Sequence, residues 1–149
     1  MAQSEFELIK SLQAILGLDE RKGLQGFSDD AAVLTLPDTD SKLLFAVDTV
    51  IEGVHFFSDT PPESVGWKAL ASNVSDIAAM GGCPTAAVVS LQLKPEAQRF
   101  AVAVYHGLKQ ASEEFGVAIV GGDTVKSTTT GLAISILGTA SNGVLLRSA

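Results

Sequence analysis

Apolar positions along the chain fall into two kinds of pattern, three- and four-residue steps and short unbroken runs. Phe6, Ile9, Leu12, Ile15 and Leu16 follow the capping-box spacing Ser4-Glu5-Phe6-Glu7, which predicts a first helix from about Glu5 to Leu16, ended by Gly17. Residues Asp19 to Ser28 are polar and punctuated by glycine, a loop that delivers the chain to Asp29-Asp30 and a short strand, Ala31 to Leu36. After the turn Pro37 to Ser41, Leu43 to Val47 reads as a strand too apolar to have a solvated face, ending at Asp48. A loop or bulge and a short strand are expected between Asp48 and Phe57. Thr60-Pro61-Pro62-Glu63 repeats the capping-box spacing and opens a central helix, in which Val65, Ala69, Val74, Ile77, Ala78 and Met80 form a stripe widened by Trp67 and Leu70. Gly81 and Gly82 stop it.

Thr85 to Leu93 is a further strand, and Pro95 opens a helix to about Phe115, closed by Gly116. Val117 to Val120 forms a buried strand ending at Gly121-Gly122-Asp123-Thr124, and Leu132 to Thr139 is the last well-marked strand. Strands and helices interleave without an internal repeat or linker, so the class is α/β or α+β, one domain over residues 1–149 with a mixed sheet and helices packed on one face. Leu145 to Ala149 carries neither turn nor cap and reads as a boundary inside a longer protein.

One polar residue interrupts this pattern in an informative place. Asp76 lies in the apolar stretch Asn73 to Gly82, where a carboxylate is costly unless hydrogen-bonded, protonated or bound to a cation. A lone aspartate there would be read as a residue of the solvated helix side or a loop cap. Asp29, Asp30, Asp48 and Asp123, however, each stand at the end of an apolar run beside small residues, where strands hand over to loops. Five such carboxylates suggest a site for hard divalent cations, which prefer oxygen ligands and need few protein carboxylates when substrate phosphates supply the rest. In Gly121-Gly122-Asp123-Thr124 the glycines would let backbone amides approach a phosphate while Asp123 holds the neutralising cation. Taken alone, that tetrapeptide is ordinary loop chemistry; its company is what gives it meaning.

Composition narrows the partners. With 46% hydrophobic and 18% charged residues, the 149-residue chain is globular, and its formal charge of -7 without any Lys/Arg cluster argues against a nucleic-acid surface. No apolar run approaches a membrane span and the N-terminus lacks a signal core, so a soluble cytoplasmic protein is expected. The single cysteine, Cys83, excludes an internal disulfide and a multi-cysteine zinc site, and its setting between Gly82 and Pro84 suggests a helix-to-strand turn. From spacing alone, His55 fits a half-buried strand histidine better than a ligand, and His106 a solvated helix position. Tyr105 could stack on a base or simply pack. Neither a Gly-x-x-x-x-Gly-Lys-[Ser/Thr] loop nor a kinase glycine loop is present, so any nucleotide site is of another design.

Four segments in order, Asp-Asp-Ala-Ala-Val-Leu (29–34), Asp-Thr-Val-Ile-Glu-Gly-Val-His-Phe (48–56), Lys-Ala-Leu-Ala-Ser-Asn-Val-Ser-Asp-Ile-Ala-Ala-Met-Gly (68–81) and Val-Gly-Gly-Asp-Thr (120–124), resemble the N-terminal domain of the thiamine-monophosphate kinases. That family lies in the superfamily of aminoimidazole ribonucleotide synthetase, and the Asp-Thr-x-x-Glu-Gly-x-His-Phe stretch separates it from the selenophosphate synthetases and hydrogenase-maturation proteins. The resemblance covers nearly the whole chain. It implies transfer of the ATP γ-phosphoryl group to thiamine monophosphate, with several Mg2+ ions bridging the phosphates. Carried over by position, Asp30, Asp48, Asp76 and Asp123 match the magnesium ligands, with Asp29 as a further candidate. His55 matches a substrate contact, Gly122 and Asp123 the nucleotide-phosphate turn, Arg147 a residue on the ATP phosphates, and Tyr105 a position near the adenine. The family pairs its N-terminal domains into a homodimer, which would cover the second face of the sheet.

Ser28, Ala46-Val47 and Val125-Lys126-Ser127 depart from the family pattern, and at Ala46-Val47 hydroxyl ligands for magnesium are missing. The family's second domain, which supplies more metal ligands and much of the thiamine pocket, is absent from this chain, so the fragment alone is expected to be inactive. Two other readings stand beside the kinase: a superfamily member acting on a different small substrate, and a non-catalytic nucleotide-binding dimerisation module.

Overall fold

A single sheet, order β1-β2-β3-β6-β4-β5, forms the body of the computed structural model, which describes residues 24–25, 31–35, 40–141 and 143–146. Its strands are β1 (Leu24–Gln25), β2 (Ala32–Thr35), β3 (Lys42–Ile51), β4 (Cys83–Leu93), β5 (Ala118–Lys126) and β6 (Gly131–Ala140), with helices α1 (Pro62–Ala79) and α2 (Gln98–Phe115). The β4–β5 pair, joined by α2, is parallel; the other pairs are antiparallel, so the sheet is mixed, as the interleaved pattern predicts. β6 runs between β3 and β4, paired from Lys42↔Ala140 to Ile51↔Gly131 on one side and from Cys83↔Thr139 to Gln92↔Gly131 on the other.

Side-chain alternation separates the two faces. Leu44, Ala46 and Val50 of β3, Leu132, Ile134 and Ile136 of β6, and Ala87, Val89 and Leu91 of β4 are buried beneath the helices. Helix α1 packs on β3, β6 and β4, and α2 packs on α1 and β4. Leu70, Ile77, Met80, Val104 and Leu108 fill the space between, each fully removed from solvent and contributing about 1.5–3 kcal/mol of burial. Aromatic contacts close the rim, Phe56 on Phe100 with ring centroids 5.7 Å apart and Trp67 on Phe115 at 5.5 Å.

Several boundaries differ from the sequence reading for identifiable reasons. β3 does not stop at Asp48 but continues to Ile51, because its pairing with β6 is unbroken through Asp48↔Ile134. β5 likewise runs through Gly121-Gly122-Asp123-Thr124, held by β4 after an irregularity at Ala87/Val88. Residues 53–55 form a turn closed by the Glu52↔Phe56 bridge rather than a short strand. The capping box at Thr60 is not made: Pro61 is the N-cap without a side-chain bond, and Thr60 Oγ1 instead accepts from the Phe57 N–H at 3.0 Å. Ala78 is exposed, outside the stripe that buries Val65, Ala69, Ile77 and Met80. Helix α2 starts at Gln98 rather than Pro95. The helix expected over Glu5 to Leu16 and most of the loop Asp19 to Ser28 lie outside the described residues.

Among the described residues, no element packs on the strand face opposite the helices. Phe45 and Val47 of β3, Val88 of β4 and Val125 of β5 point away from the helices or lie at the edge, and Val47 is 63% exposed. An apolar strand of this kind normally has both faces covered.

Candidate functional site

Asp48 and Asp76 belong to one side of the molecule. Alternation along β3 turns Asp48 toward the helix layer with Leu44, Ala46 and Val50, and its Oδ1 accepts the backbone N–H of Thr49 at 3.0 Å. Both carboxylates are half-buried. Helix α1 crosses this face with Ile77 over the Leu44↔Gly138 pair: a Cβ on Gly138 would press on Ile77 Cγ2, and one on Gly82 would meet both Ile77 and Leu44. Nearer its start, Lys68 Nζ donates to the carbonyl of His55 at 3.0 Å, which places that part of the helix beyond the far end of β3. By helix rise Asp76 lies about 1.5 Å before Ile77, near the level of Leu44, and Asn73 about 6 Å before it, near the level of Ala46, two residues from Asp48 on the same strand face.

Asn73 is the residue the sequence reading passed over. It is 1% exposed, its Nδ2 donates to the Ala69 carbonyl at 2.9 Å, and its Oδ1 has no hydrogen-bond partner. Its signal was available, since it is the one polar residue in the buried series Ala69, Leu70, Asn73, Ile77.

Asp123 sits elsewhere. The register aligns it with Ser90, on the side away from the helices, and it is exposed on the edge strand. Three strand spacings separate it from Asp48, about 14 Å. Preceding it, Gly122 has φ +159, and a Cβ there would run into the carbonyl of Val89, so only glycine lets β5 lie this close to β4. Among the described residues no three His, Cys, Asp or Glu side chains gather as a metal group. Asp29, Asp30 and Arg147 lie outside the described residues.

His55 stands on a tethered turn. Its ring Nδ1 accepts the Ile51 N–H at 3.1 Å and its own N–H bonds the Ile51 carbonyl at 2.8 Å, while Gly53, at φ 83, donates to the Phe56 carbonyl at 2.7 Å. With Nδ1 acting as acceptor, the neutral ring carries its proton on Nε2. Phe56 anchors the turn in the core against Phe100, leaving Val54 and Phe57 exposed on either side of His55. Glu52 fixes its base: Lys94 Nζ lies 2.7 Å from Oε2 and the Glu52 N–H bonds the Thr130 carbonyl at 2.9 Å. The hydrogen bond from Lys94 holds the Glu52 carboxyl below the usual carboxylate range, aided by the Thr130 N–H and the Lys94 charge and opposed by partial desolvation. Tyr105 is exposed on the outer side of α2, in a shallow depression of about 480 Å³ lined by Ala101, Val102, Tyr105, His106 and Lys109.

Residues 28–141 match the AIR synthase related protein, N-terminal domain, and the chain belongs to that family. Among its relatives, the thiamine-monophosphate kinase of Synechococcus elongatus is 37% identical over 145 residues, covering 95% of this chain and 42% of the relative. That of Bacillus subtilis is 39% identical over 113 residues, 74% of this chain and 34% of its own length. The solved structure of AaThiL complexed with AMPPCP and TMP superposes with a TM-score of 0.87 at 34% identity, over 99% of this chain and 46% of that one. The chain thus spans less than half the length of the relatives it matches.

Proposed function

We propose that this chain is the nucleotide- and magnesium-binding half of a thiamine-monophosphate kinase, which transfers the γ-phosphoryl group of ATP to the phosphate of thiamine monophosphate and forms thiamine diphosphate. The observation that carries the reading is the likeness, over 99% of the chain, to a kinase structure holding an ATP analogue and TMP. Because ATP is the donor, the reading puts the enzyme in the cytoplasm.

The residues fit a hard cation on the α1 side of the sheet. Asp48 and Asp76 offer charged oxygens, and Asn73 offers a buried neutral oxygen without a donor, a set suited to Mg2+ and unsuited to softer metals. Asp48 and Asp76 would hold one ion, Asp123 a different one against the nucleotide phosphates, and Asp29 and Asp30 would complete the acidic set. Bound magnesium supplies charge neutralisation for two polyanions brought together in line. His55 would donate from Nε2 to the phosphate of thiamine monophosphate, its ring oriented by the Ile51 N–H. The amide at Gly122 and the Tyr105 ring would take the nucleotide, with Arg147 on its phosphates. The exposed apolar side of the sheet, with Phe45, Val47 and Val88, supports pairing of two copies through that face.

A second reading, a nucleotide-binding dimerisation module without transfer, draws support from Ala46-Val47, which stand where the family carries hydroxyl ligands for magnesium. The test is label transfer with the full-length protein. Radiolabel from [γ-32P]ATP appearing in thiamine diphosphate, in a magnesium-dependent way, is expected; nucleotide binding without labelled product would select the second reading.

A further inference from the structure

Asn73 holds an unpaired acceptor in a place where unpaired acceptors are rare. Leaving a buried amide oxygen without a donor costs its full desolvation, and native cores keep few such atoms unless something outside the chain completes them. The Nδ2 bond to the Ala69 carbonyl settles which way the amide faces, because the opposite orientation would set two oxygens against each other. Oδ1 is therefore directed away from its own helix's carbonyl and asks for a donor.

Three facts narrow what that donor is. Asp76 follows one turn later on the same helix, and with Ile77 packed over Leu44 the helix rise brings Asn73 to the level of Ala46, two residues from Asp48 on the face of β3 that meets the helix. Asn73 itself is almost fully buried, whereas both carboxylates keep some contact with solvent. A small hard cation gives up its waters reluctantly and binds through one or two carboxylates while retaining the others. We infer that Asn73 is a positioning residue for the cation held by Asp48 and Asp76: its Oδ1 accepts a hydrogen bond from a cation-bound water and fixes the ion between α1 and β3. This rests on the magnesium reading above and assigns a role to a residue outside the aspartate set.

The test uses this chain without nucleotide and Mn2+ as the probe, with the dissociation constant read by electron paramagnetic resonance. Asn73→Leu removes the acceptor at similar volume. Its metal-free unfolding temperature should equal or exceed that of the parent, while Mn2+ affinity falls by about 10–100-fold, the usual effect of losing an outer-shell partner. Asn73→Gln keeps a neutral amide that can both donate and accept and should recover part of the lost affinity, a rescue that a purely structural asparagine would not give. Asn73→Leu with parent-like Mn2+ affinity overturns the inference. If that variant fails to fold, the Asn73 side-chain amide resonance of the parent decides, since it should shift on adding Mg2+ and an unmoved resonance overturns the assignment. Asp76→Asn separates the two levels: loss of Mn2+ binding there with none in Asn73→Leu defeats only the role of Asn73, and no Mn2+ binding by the parent defeats the magnesium reading together with it.

Discussion

Gly66 of α1 and Gly107 of α2 face each other where the two helix backbones touch. A Cβ on Gly66 would collide with the Val104 carbonyl, and one on Gly107 with the Glu63 carbonyl. Glycine inside a helix ordinarily weakens it by about 1 kcal/mol relative to alanine, so alanine at either position would be stabilising if only propensity acted. Here the obstruction is backbone, which cannot move aside as a flexible side chain can. Gly66→Ala and Gly107→Ala are each expected to destabilise the domain by about 1–3 kcal/mol, read as a lowered midpoint in urea unfolding. A raised midpoint in both would mean that the helices do not cross at this distance.

Asp48→Asn and Asp76→Asn should each weaken Mg2+-dependent binding of AMPPCP by at least about tenfold, because a ligand charge is lost while the side-chain shape is kept. Folding, followed by circular dichroism, should persist. Unchanged binding in both variants would remove these carboxylates from the metal site.

His55→Ala in the full-length protein should raise the KM for thiamine monophosphate by about tenfold or more and leave that for ATP unchanged, the expected effect of losing one hydrogen bond to a charged group. The turn should survive the change, since Phe56 and Glu52 anchor it independently. A shift confined to the ATP constant would reassign the histidine to the nucleotide.

The Glu52–Lys94 pair makes a pH prediction. The folded-state pKa of Glu52 lies below its unfolded value, so the tether is fully present above the ordinary carboxylate range and is lost as pH falls through the lowered value. Lys94→Met should raise the Glu52 carboxyl pKa toward the ordinary carboxylate range in a 13C NMR titration, and amide exchange at Gly53 and His55 should quicken. An unaltered Glu52 titration in Lys94→Met would show that the pair is not formed in solution.

The sheet order follows from no local signal, yet most of the elements themselves were legible. Apolar periodicity located α1 and α2 because each buries one stripe, α1 on the sheet and α2 chiefly on α1, and Gly116, at φ 66, ends α2 as its residue type suggests. Asp48 and Asp123 misled the boundaries because a polar residue after an apolar run resembles a strand end, whereas long-range pairing with β6 and β4 carries both strands past them. The consequence is chemical: of the five aspartates read as one group, the three described ones divide, Asp48 and Asp76 on the helix side of the sheet and Asp123 on the other. Strand apolarity led to the expectation of a second covered face, and on that face Val47 and Phe45 are exposed in this chain. At Asn73 a polar residue within an apolar stripe was visible in the sequence, but its orphaned oxygen is known only from the packing around it.

The most direct measurement is calorimetric titration of AMPPCP into this chain with and without Mg2+. The kinase reading expects binding that requires the cation and is lost when it is chelated. Binding of equal strength without Mg2+, or none at all by the folded chain, would contradict the claim that this half carries a magnesium-dependent nucleotide site.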